Sequence, residues 1–110
     1  MDRDAVIREV VRRLADYFRP EQIYLFGSSA RGEELAGSDL DFLVVLPDDA
    51  PSELLISGKE YRLLSGIPVP VDVVPFRRSF FEARRSWLMS LPAIVAREGK
   101  LVYDARAEAA

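Results

Sequence analysis

Three short runs of strand-forming residues, each punctuated by glycine or proline, constrain the fold of this chain more than any other feature. They are Ile23–Phe26, which ends at Gly27, then Leu40–Leu46 and Val69–Val74. Short apolar runs of this kind are typical of buried β-strands. Because a sheet must cover its apolar face, the runs predict a small sheet with helices packed on it.

Helical patterns surround these strands. An apolar residue recurs at every fourth position near the start, which predicts an amphipathic helix that stops at Pro20. Ser52 is expected to cap a helix that continues to about residue 65 and ends at Gly66. The other expected elements are a loop with one helical turn over 28–38, a helix over 80–91 interrupted near Pro92, a helical turn over 94–97, a closing strand over 101–103 and frayed residues over 105–110.

The order of these elements implies an α/β fold of the α+β kind, with a small mixed sheet of three to four strands packed by helices. The chain has 110 residues and is expected to form a single domain over 1–110. Folding at that size buries roughly 65% of the extended surface, which is enough for one core.

Composition excludes several classes of site. The chain has no cysteine and no histidine, which excludes disulfides, zinc sites built on these residues and catalytic triads that need histidine. The net charge of −3 provides no overall positive charge that would attract nucleic acid. The longest apolar run, Phe42–Leu46, is far shorter than the ~20 residues of a membrane span. With no secretory signal visible, a cytoplasmic protein is expected.

Two motifs suit phosphate and metal binding. Gly27-Ser28 follows a strand, where glycine permits close approach of the backbone, and free N–H groups with the Ser28 hydroxyl attract an anion. In residues 38–41 (Ser-Asp-Leu-Asp), period-2 geometry places Asp39 and Asp41 on one strand face, with Cα atoms about 6.6 Å apart. Each motif alone is also typical of an ordinary turn or a solvated sheet face.

A third acid, Asp72, lies within the last apolar run. Burying it there is expensive unless something pairs with it, and across a sheet it can reach the space beside Asp39 and Asp41. The alternative is an edge-strand charge that discourages aggregation. Three crowded carboxylates repel one another unless a cation neutralises them, and oxygen-only ligation favours Mg²⁺ or Mn²⁺ over zinc. Beside a phosphate-binding turn, the three acids therefore predict a two-metal phosphoryl-transfer site.

Together these residues resemble a known signature. Gly27-Ser28-Ser29-Ala30-Arg31-Gly32, followed by Asp39-Leu40-Asp41-Phe42-Leu43-Val44, is similar to the signature of polymerase-beta-type nucleotidyltransferases. In particular it resembles the minimal nucleotidyltransferase group, many of which pair with a HEPN-domain toxin. The resemblance spans nearly the whole chain and implies a polymerase-beta-like nucleotidyltransferase fold.

The resemblance also implies roles for individual residues. The Gly27-Ser28 turn would hold the triphosphate of an NTP, and Asp39 and Asp41 would bind the metals, most simply two Mg²⁺ ions. Asp72 would complete the metal site and help to deprotonate the attacking hydroxyl. For Arg31, in the Ala-Arg-Gly segment, a contact with phosphate and a surface salt bridge both remain open.

The implied reaction transfers a nucleoside monophosphate, first of all AMP from ATP, to a hydroxyl. The resemblance suggests a tyrosine on a cognate HEPN toxin, so that the protein acts as an antitoxin. Relatives that act on tRNA ends or antibiotics usually have further domains that hold the acceptor, so here a partner is expected to present it. Two alternatives remain: a non-catalytic antitoxin or regulatory subunit that works by docking, and a small-molecule adenylyltransferase that acts as a homodimer. The preferred NTP, the acceptor and the oligomeric state are left open.

A local basic cluster lies on this otherwise acidic chain. Its arginines are Arg77, Arg78, Arg84 and Arg85, interleaved with Phe80, Phe81 and Trp87. The cluster suits contact with RNA, a phosphate tail or an acidic partner. It is equally typical of a solvated helix face over an aromatic core stripe.

Overall fold

The structure, a computed structural model, describes residues 2–27, 30, 39–56 and 62–108. Its elements are α1 (Arg3–Phe18), β1 (Gln22–Phe26), β2 (Leu40–Leu46), a 3-10 helix (Ser52–Leu55), β3 (Val71–Arg77), α2 (Arg78–Arg84), α3 (Leu91–Glu98), β4 (Lys100–Asp104) and α4 (Ala105–Glu108). The described strands form a four-stranded sheet in the order β3-β2-β1-β4. β1 is antiparallel to both β2 and β4, whereas β2 and β3 are parallel. The predicted mixed sheet of an α+β fold is confirmed. Within the described residues, every helix is too short or too polar to cross a bilayer.

The long N-terminal helix covers one face of the sheet. Asp2 caps α1 by accepting a hydrogen bond from the Ala5 N–H at 2.7 Å, and α1 ends where Arg19 adopts a left-handed φ of 48°. The buried residues of α1 are those of the predicted stripe: Val6, Val10, Leu14 and Phe18. They share a core with one series of strand side chains: Ile23, Leu25, Leu40, Phe42, Val44, Leu46 and Val73. This face therefore holds the larger part of the core.

The two shorter helices cover the opposite face. Leu43 and Val45 of β2 pack there against Phe81 of α2 and Val95 of α3, and all four side chains are buried. Side chains alternate along a strand, so the odd-numbered residues of β2 share this second face. Asp41, near the start of β2, belongs to the same series.

The predicted helix from Ser52 to about residue 65 is wrong over its described part. Only the 3-10 helix Ser52–Leu55 forms, and the backbone is already extended at Ile56. Pro51, rather than Ser52, is the N-cap of this helix, and it provides no side-chain capping bond. The Ser52 hydroxyl instead accepts a hydrogen bond from Arg77 Nη2 at 3.3 Å. Residues 57–61 lie outside the described part of the chain, and residues 62–66 form a turn.

The C-terminal half has the predicted kinds of element with different bounds. Pro92, expected to interrupt a helix, lies instead in the first turn of α3, where a missing N–H has little cost. β3 is displaced towards its C-terminus relative to the expected Val69–Val74 and includes Pro75, which an edge strand tolerates. The closing strand is confirmed as β4, and residues 105–108, expected to fray, form α4. Apart from residue 30, the expected loop over 28–38 lies outside the described residues.

Candidate active site

Parallel pairing between β2 and β3 places two acids side by side. Asp41 and Asp72 are partners in the register of these strands. The Leu40 N–H donates a hydrogen bond to the Pro70 carbonyl at 2.9 Å, which joins the beginnings of the two strands. Adjacent strands lie about 4.8 Å apart, and paired residues point to the same side of a sheet. Two carboxylates that are distant in sequence therefore project next to each other on the second face.

The end of β1 completes this corner of the sheet. Phe26 is the partner of Asp41 across the antiparallel β1–β2 pair, so Gly27 follows directly beside the acid. Gly27 has a φ of +78°, and a Cβ at this position would lie 2.6 Å from Asp41 Oδ2. The Ala30 N–H donates to the Gly27 carbonyl at 3.2 Å, so the chain turns at the glycine. Both the left-handed backbone and the closeness of the Asp41 carboxylate favour a residue without a side chain.

The charges of the site act on one another. The pKa of Asp41 is raised above its ordinary value, first by partial burial, then by the negative charges of Asp72 and Asp39 and by a hydrogen bond with the Asp72 carboxyl. Asp41 is half-buried, whereas Asp39 and Asp72 are exposed. A half-buried carboxylate whose ionised form is disfavoured beside other acids is a place where a cation would be favourable.

The chemistry of these side chains fits a hard divalent cation that is shared with a phosphate. All the candidate donors are carboxylate oxygens, the ligand type that Mg²⁺ and Mn²⁺ prefer. Within the described ranges, no three Asp, Glu, His or Cys side chains form a ready-made metal cage. Mg²⁺ usually takes only one or two protein carboxylates and fills its remaining positions with water and phosphate oxygens. The Asp41–Asp72 pair meets that requirement.

The structure describes some of the predicted site residues and not others. Gly27, Asp41 and Asp72 lie together at the end of the sheet where β1 ends and β2 and β3 begin. Asp39, directly before β2, adds its negative charge to the surroundings of Asp41. Ser28 and Arg31 lie outside the described residues, so their predicted contacts with phosphate stay predictions.

Sequence analysis missed two contacts made by the segment that leads into β3. One is the Pro70 carbonyl, which holds the start of β3 against β2. The other is Arg13 of α1, whose Nη1 donates to the carbonyls of Leu63 and Ser65 at 3.1 and 2.8 Å. Both contacts join segments far apart in the chain, and neither leaves a local pattern in the sequence. Proline before an apolar run was the only available signal at Pro70.

Comparisons with known proteins agree with this geometry. A family model described as a nucleotidyltransferase domain matches residues 7–94. A solved structure of a toxin–antitoxin with AMP-PNP is 27% identical, with a TM-score of 0.55, over 92% of this chain and 75% of that chain. A mutant of the toxin–antitoxin MntA-HpeT is 25% identical, with a TM-score of 0.58, over 93% of this chain and 75% of that one. A comparison with curated proteins gave no match.

The family match contains every described residue of the candidate site. Gly27, Asp39, Asp41 and Asp72 all fall inside residues 7–94. The match also extends over most of the chain, from α1 into α3. The structural similarity to toxin–antitoxin proteins agrees with the resemblance to the minimal nucleotidyltransferase group. The chain belongs to the nucleotidyltransferase domain family.

Proposed function

We propose that this protein is a Mg²⁺-dependent nucleotidyltransferase that transfers AMP from ATP to a tyrosine hydroxyl of a HEPN-domain toxin, and so acts as an antitoxin in the cytoplasm. The observation that supports it most directly is the pairing of Asp41 with Asp72 beside Gly27, in a chain of this family. The similar structure of a toxin–antitoxin with AMP-PNP supports both an adenine nucleotide and a toxin partner.

In this proposal the turn after β1 holds the triphosphate. The left-handed backbone at Gly27 directs the chain around the phosphates, while N–H groups and the Ser28 hydroxyl donate to them. The missing side chain at Gly27 allows this turn to approach Asp41, which keeps phosphate close to the carboxylates. Arg31 adds a positive charge to the same phosphates.

The carboxylates Asp39, Asp41 and Asp72 hold the divalent cations, two Mg²⁺ ions with Mn²⁺ as the alternative. When bound, such ions polarise the α-phosphate and neutralise the leaving pyrophosphate. A divalent cation held by these residues would offset the negative charges of Asp72 and Asp39, which, after partial burial, raise the pKa of Asp41.

During transfer, the acceptor oxygen forms a bond to the α-phosphorus while the bond from that phosphorus to the α,β-bridging oxygen breaks. AMP remains on the acceptor and pyrophosphate leaves. Asp72 accepts the proton of the attacking hydroxyl. Its position supports this role, because Asp72 is exposed on the edge strand β3, where an acceptor arriving from outside can reach it.

Thermal unfolding tests the metal and nucleotide site, with Asp41→Asn compared to Asp49→Asn. Asp49 is an exposed carboxylate in the turn after β2 and is the matched control. In chelator, Asp41→Asn should be at least as stable as the wild type, because the substitution removes charge repulsion. With Mg²⁺ and ATP at about a hundredfold excess over Kd, the wild type and the control should gain about 2.7 kcal/mol and Asp41→Asn almost none. An equal gain in all three proteins would refute the metal site.

Transfer itself is tested with ATP labelled at the α-phosphate, Mg²⁺ and a purified HEPN-domain protein. Label is expected on a tyrosine of that protein with the wild type and Asp49→Asn, and its loss with Asp72→Asn. ATP labelled at the γ-phosphate is the control and should leave the protein unlabelled, because pyrophosphate is released. Tight binding without label would favour the docking antitoxin, and a labelled small molecule would favour the small-molecule adenylyltransferase.

A further inference from the structure

The arginine cluster that follows β3 does not provide four available cations. Three of its members are bound to oxygen atoms of the chain itself: Arg77 to the Ala50 carbonyl at 2.9 Å, Arg78 to Glu21 at 3.2 Å and Arg85 to Glu82 at 3.3 Å. A nucleic-acid backbone needs a row of cations that can neutralise successive phosphates. The structure therefore favours a different use for this surface.

Arg84, the fourth arginine, is held between two aromatic rings. Its Cζ lies 3.7 Å from the centre of the Phe80 ring and 4.7 Å from that of Trp87. Phe80 in turn stacks on Phe76 of β3, with 4.9 Å between ring centres. The ion pairs found among the described residues do not include Arg84. Its guanidinium is thus fixed in place by stacking while its charge has no acidic partner in the described part of the chain.

Large apolar side chains are concentrated around this arginine. Phe80 is 39% exposed, Trp87 55%, Leu88 85% and Met89 77%. With Arg84 they form what we call the Trp87 patch. Interface cores are enriched in tryptophan, phenylalanine, methionine and arginine, and binding energy is concentrated in residues of these types.

The backbone of the Trp87 patch is preorganised. The Trp87 N–H donates to the Arg84 carbonyl at 3.0 Å, and the Ser90 N–H donates to the Trp87 carbonyl at 3.1 Å. Between them, Met89 has a φ of 70°, a left-handed conformation that is unfavourable for a residue with a side chain. The tight turn holds Leu88 and Met89 outward, which lowers the entropy that a partner must overcome on binding.

The Trp87 patch begins on the same face as the carboxylates. Side chains four residues apart on a strand share a face, so Phe76, on which the aromatic stack rests, projects from β3 on the side of Asp72. The four residues from Asp72 to Phe76 span about 13 Å of β3, so a protein seated on the patch brings a hydroxyl to the carboxylates by extending that far along this face.

We propose that the Trp87 patch is the docking surface for the acceptor protein, which matches it with an apolar groove and a carboxylate placed against Arg84. The identity of this partner rests on the proposed function. A second copy of this chain is a poorer occupant, because a two-fold contact centred on the patch would place Arg84 against its own copy. The carboxylate of the patch's neighbour Glu82 is already paired with Arg85.

The docking surface can be tested without any chemistry. Trp87 is the only tryptophan of the chain, so 5-fluorotryptophan labelling provides one ¹⁹F resonance that reports on the patch alone. The full chain is titrated with a purified HEPN-domain protein whose acceptor tyrosine is replaced by phenylalanine. We expect the resonance to shift on binding, and calorimetry to show a Kd at least about tenfold weaker for Trp87→Ala and Arg84→Ala. Leu101→Ala, at an exposed apolar residue of β4, is the matched control and should bind like the wild type.

The variant Met89→Gly tests whether misfolding, rather than loss of the docking surface, explains weaker binding. Glycine relieves the left-handed strain, so this variant should unfold at a temperature equal to or above that of the wild type while binding the acceptor more weakly. A stable Met89→Gly protein with undiminished affinity would count against the patch.

The docking proposal and the proposed function fail in different ways. Unchanged affinity of the patch variants in a complex that forms would overturn the docking surface and leave the transferase proposal intact. Weakened binding by the patch variants, with wild-type binding by Asp72→Asn, supports docking whether or not AMP is transferred. Failure of the wild type to bind, self-association that Trp87→Ala abolishes, or a ¹⁹F shift caused by a single-stranded oligonucleotide would each overturn the proposal.

Discussion

Gly27 and Gly66 have similar backbone conformations but different surroundings. Comparing them distinguishes the effect of backbone strain from the effect of contact with the candidate site. Gly27 and Gly66 have φ values of +78° and +85°. A Cβ at Gly66 would meet nothing within 4 Å, whereas a Cβ at Gly27 would lie 2.6 Å from Asp41 Oδ2. The atom in the way is the end of a rotatable side chain, so alanine at position 27 could be accommodated by turning the Asp41 carboxylate aside.

We therefore expect Gly27→Ala and Gly66→Ala to lower the free energy of unfolding by similar amounts, about 1–2 kcal/mol, through the left-handed backbone. Only Gly27→Ala should lose the gain in melting temperature that Mg²⁺ and ATP produce, because it displaces a metal-binding carboxylate. Chemical denaturation measures the first effect and thermal unfolding with ligand the second. Retention of the full ligand gain by Gly27→Ala would show that the turn does not need this closeness to Asp41.

At the scale of elements, the N-terminus of α2 is capped by a residue from another segment of the chain. Arg77, at its N-cap position, makes no side-chain capping bond. Asp48, in the turn after β2, accepts a hydrogen bond from the Ser79 N–H at 2.8 Å. This bond to the backbone of Ser79 is the largest cause that holds the pKa of Asp48 below its ordinary value. An acid from another segment thus supplies the cap that the helix lacks.

Asp48→Ala should lower the stability of the protein, and the loss should depend on pH. Because the folded-state pKa of Asp48 is lowered, its contribution is fully present above the unfolded-state pKa of about 3.9 and disappears as the pH falls through the folded value. Denaturation at pH 7, 5 and 3 should show a constant difference from the wild type at the two higher values and a smaller one at pH 3. Asp48→Asn, which keeps an acceptor oxygen, should lose less at neutral pH. A difference that does not vary with pH would contradict capping by the ionised acid.

The local sequence pattern was sufficient to predict some helices and strands but not others. The bounds of β2 were predicted at both ends. Its C-terminal end follows from the apolar run Phe42–Leu46, which stops at Pro47. The helix expected after Ser52 was wrong over its described part: Pro51 is the N-cap of a short 3-10 helix, and the Ser52 hydroxyl accepts a hydrogen bond from Arg77 of a distant segment. Pro92 was misread for a related reason. Without knowledge of the turn before it, a proline that begins a helix has the same local appearance as one that breaks it.

The sequence alone singled out the residues of the candidate site but not the contacts that bring them together. Strand periodicity predicted that Asp39 and Asp41 share a face. The expected cost of burying an acid singled out Asp72, which the structure instead leaves exposed on the edge strand β3. The register that pairs Asp72 with Asp41 could not be derived, because it depends on contacts such as that between Leu40 and Pro70. The separate roles of the clustered arginines were also hidden, since their partners come from other segments.

At the scale of the whole molecule, the sheet separates the candidate site from the larger part of the core. Leu14 of α1 and Leu43 of β2 are both fully buried, but they pack on opposite faces of the sheet. Leu43 projects two residues beyond Asp41 on the same face. The two leucines are therefore a matched pair for asking how far stability and nucleotide binding are linked.

Leu14→Ala and Leu43→Ala should each lower the free energy of unfolding by about 2–5 kcal/mol through lost burial and cavity formation. At a temperature where both variants remain folded, Leu14→Ala should bind Mg²⁺ and ATP with the wild-type Kd. Leu43→Ala should bind them more weakly, because the strand that positions Asp41 has lost its support. Calorimetry on both proteins measures this difference, and equal Kd values would indicate that β2 holds its shape without Leu43.

The parallel pairing of β2 with β3 links activity to the completion of folding. Parallel neighbours need a long connection, and pairings of this kind form late because the intervening chain must first be closed. A slip of β3 by one residue would turn its acid to the α1 side of the sheet and leave Asp41 alone. The candidate active site would then form in a single step, when β3 pairs with β2 as the last strand of the sheet. Under mild stress, enzymatic turnover should be lost as soon as this edge detaches, while most of the helical signal is still present.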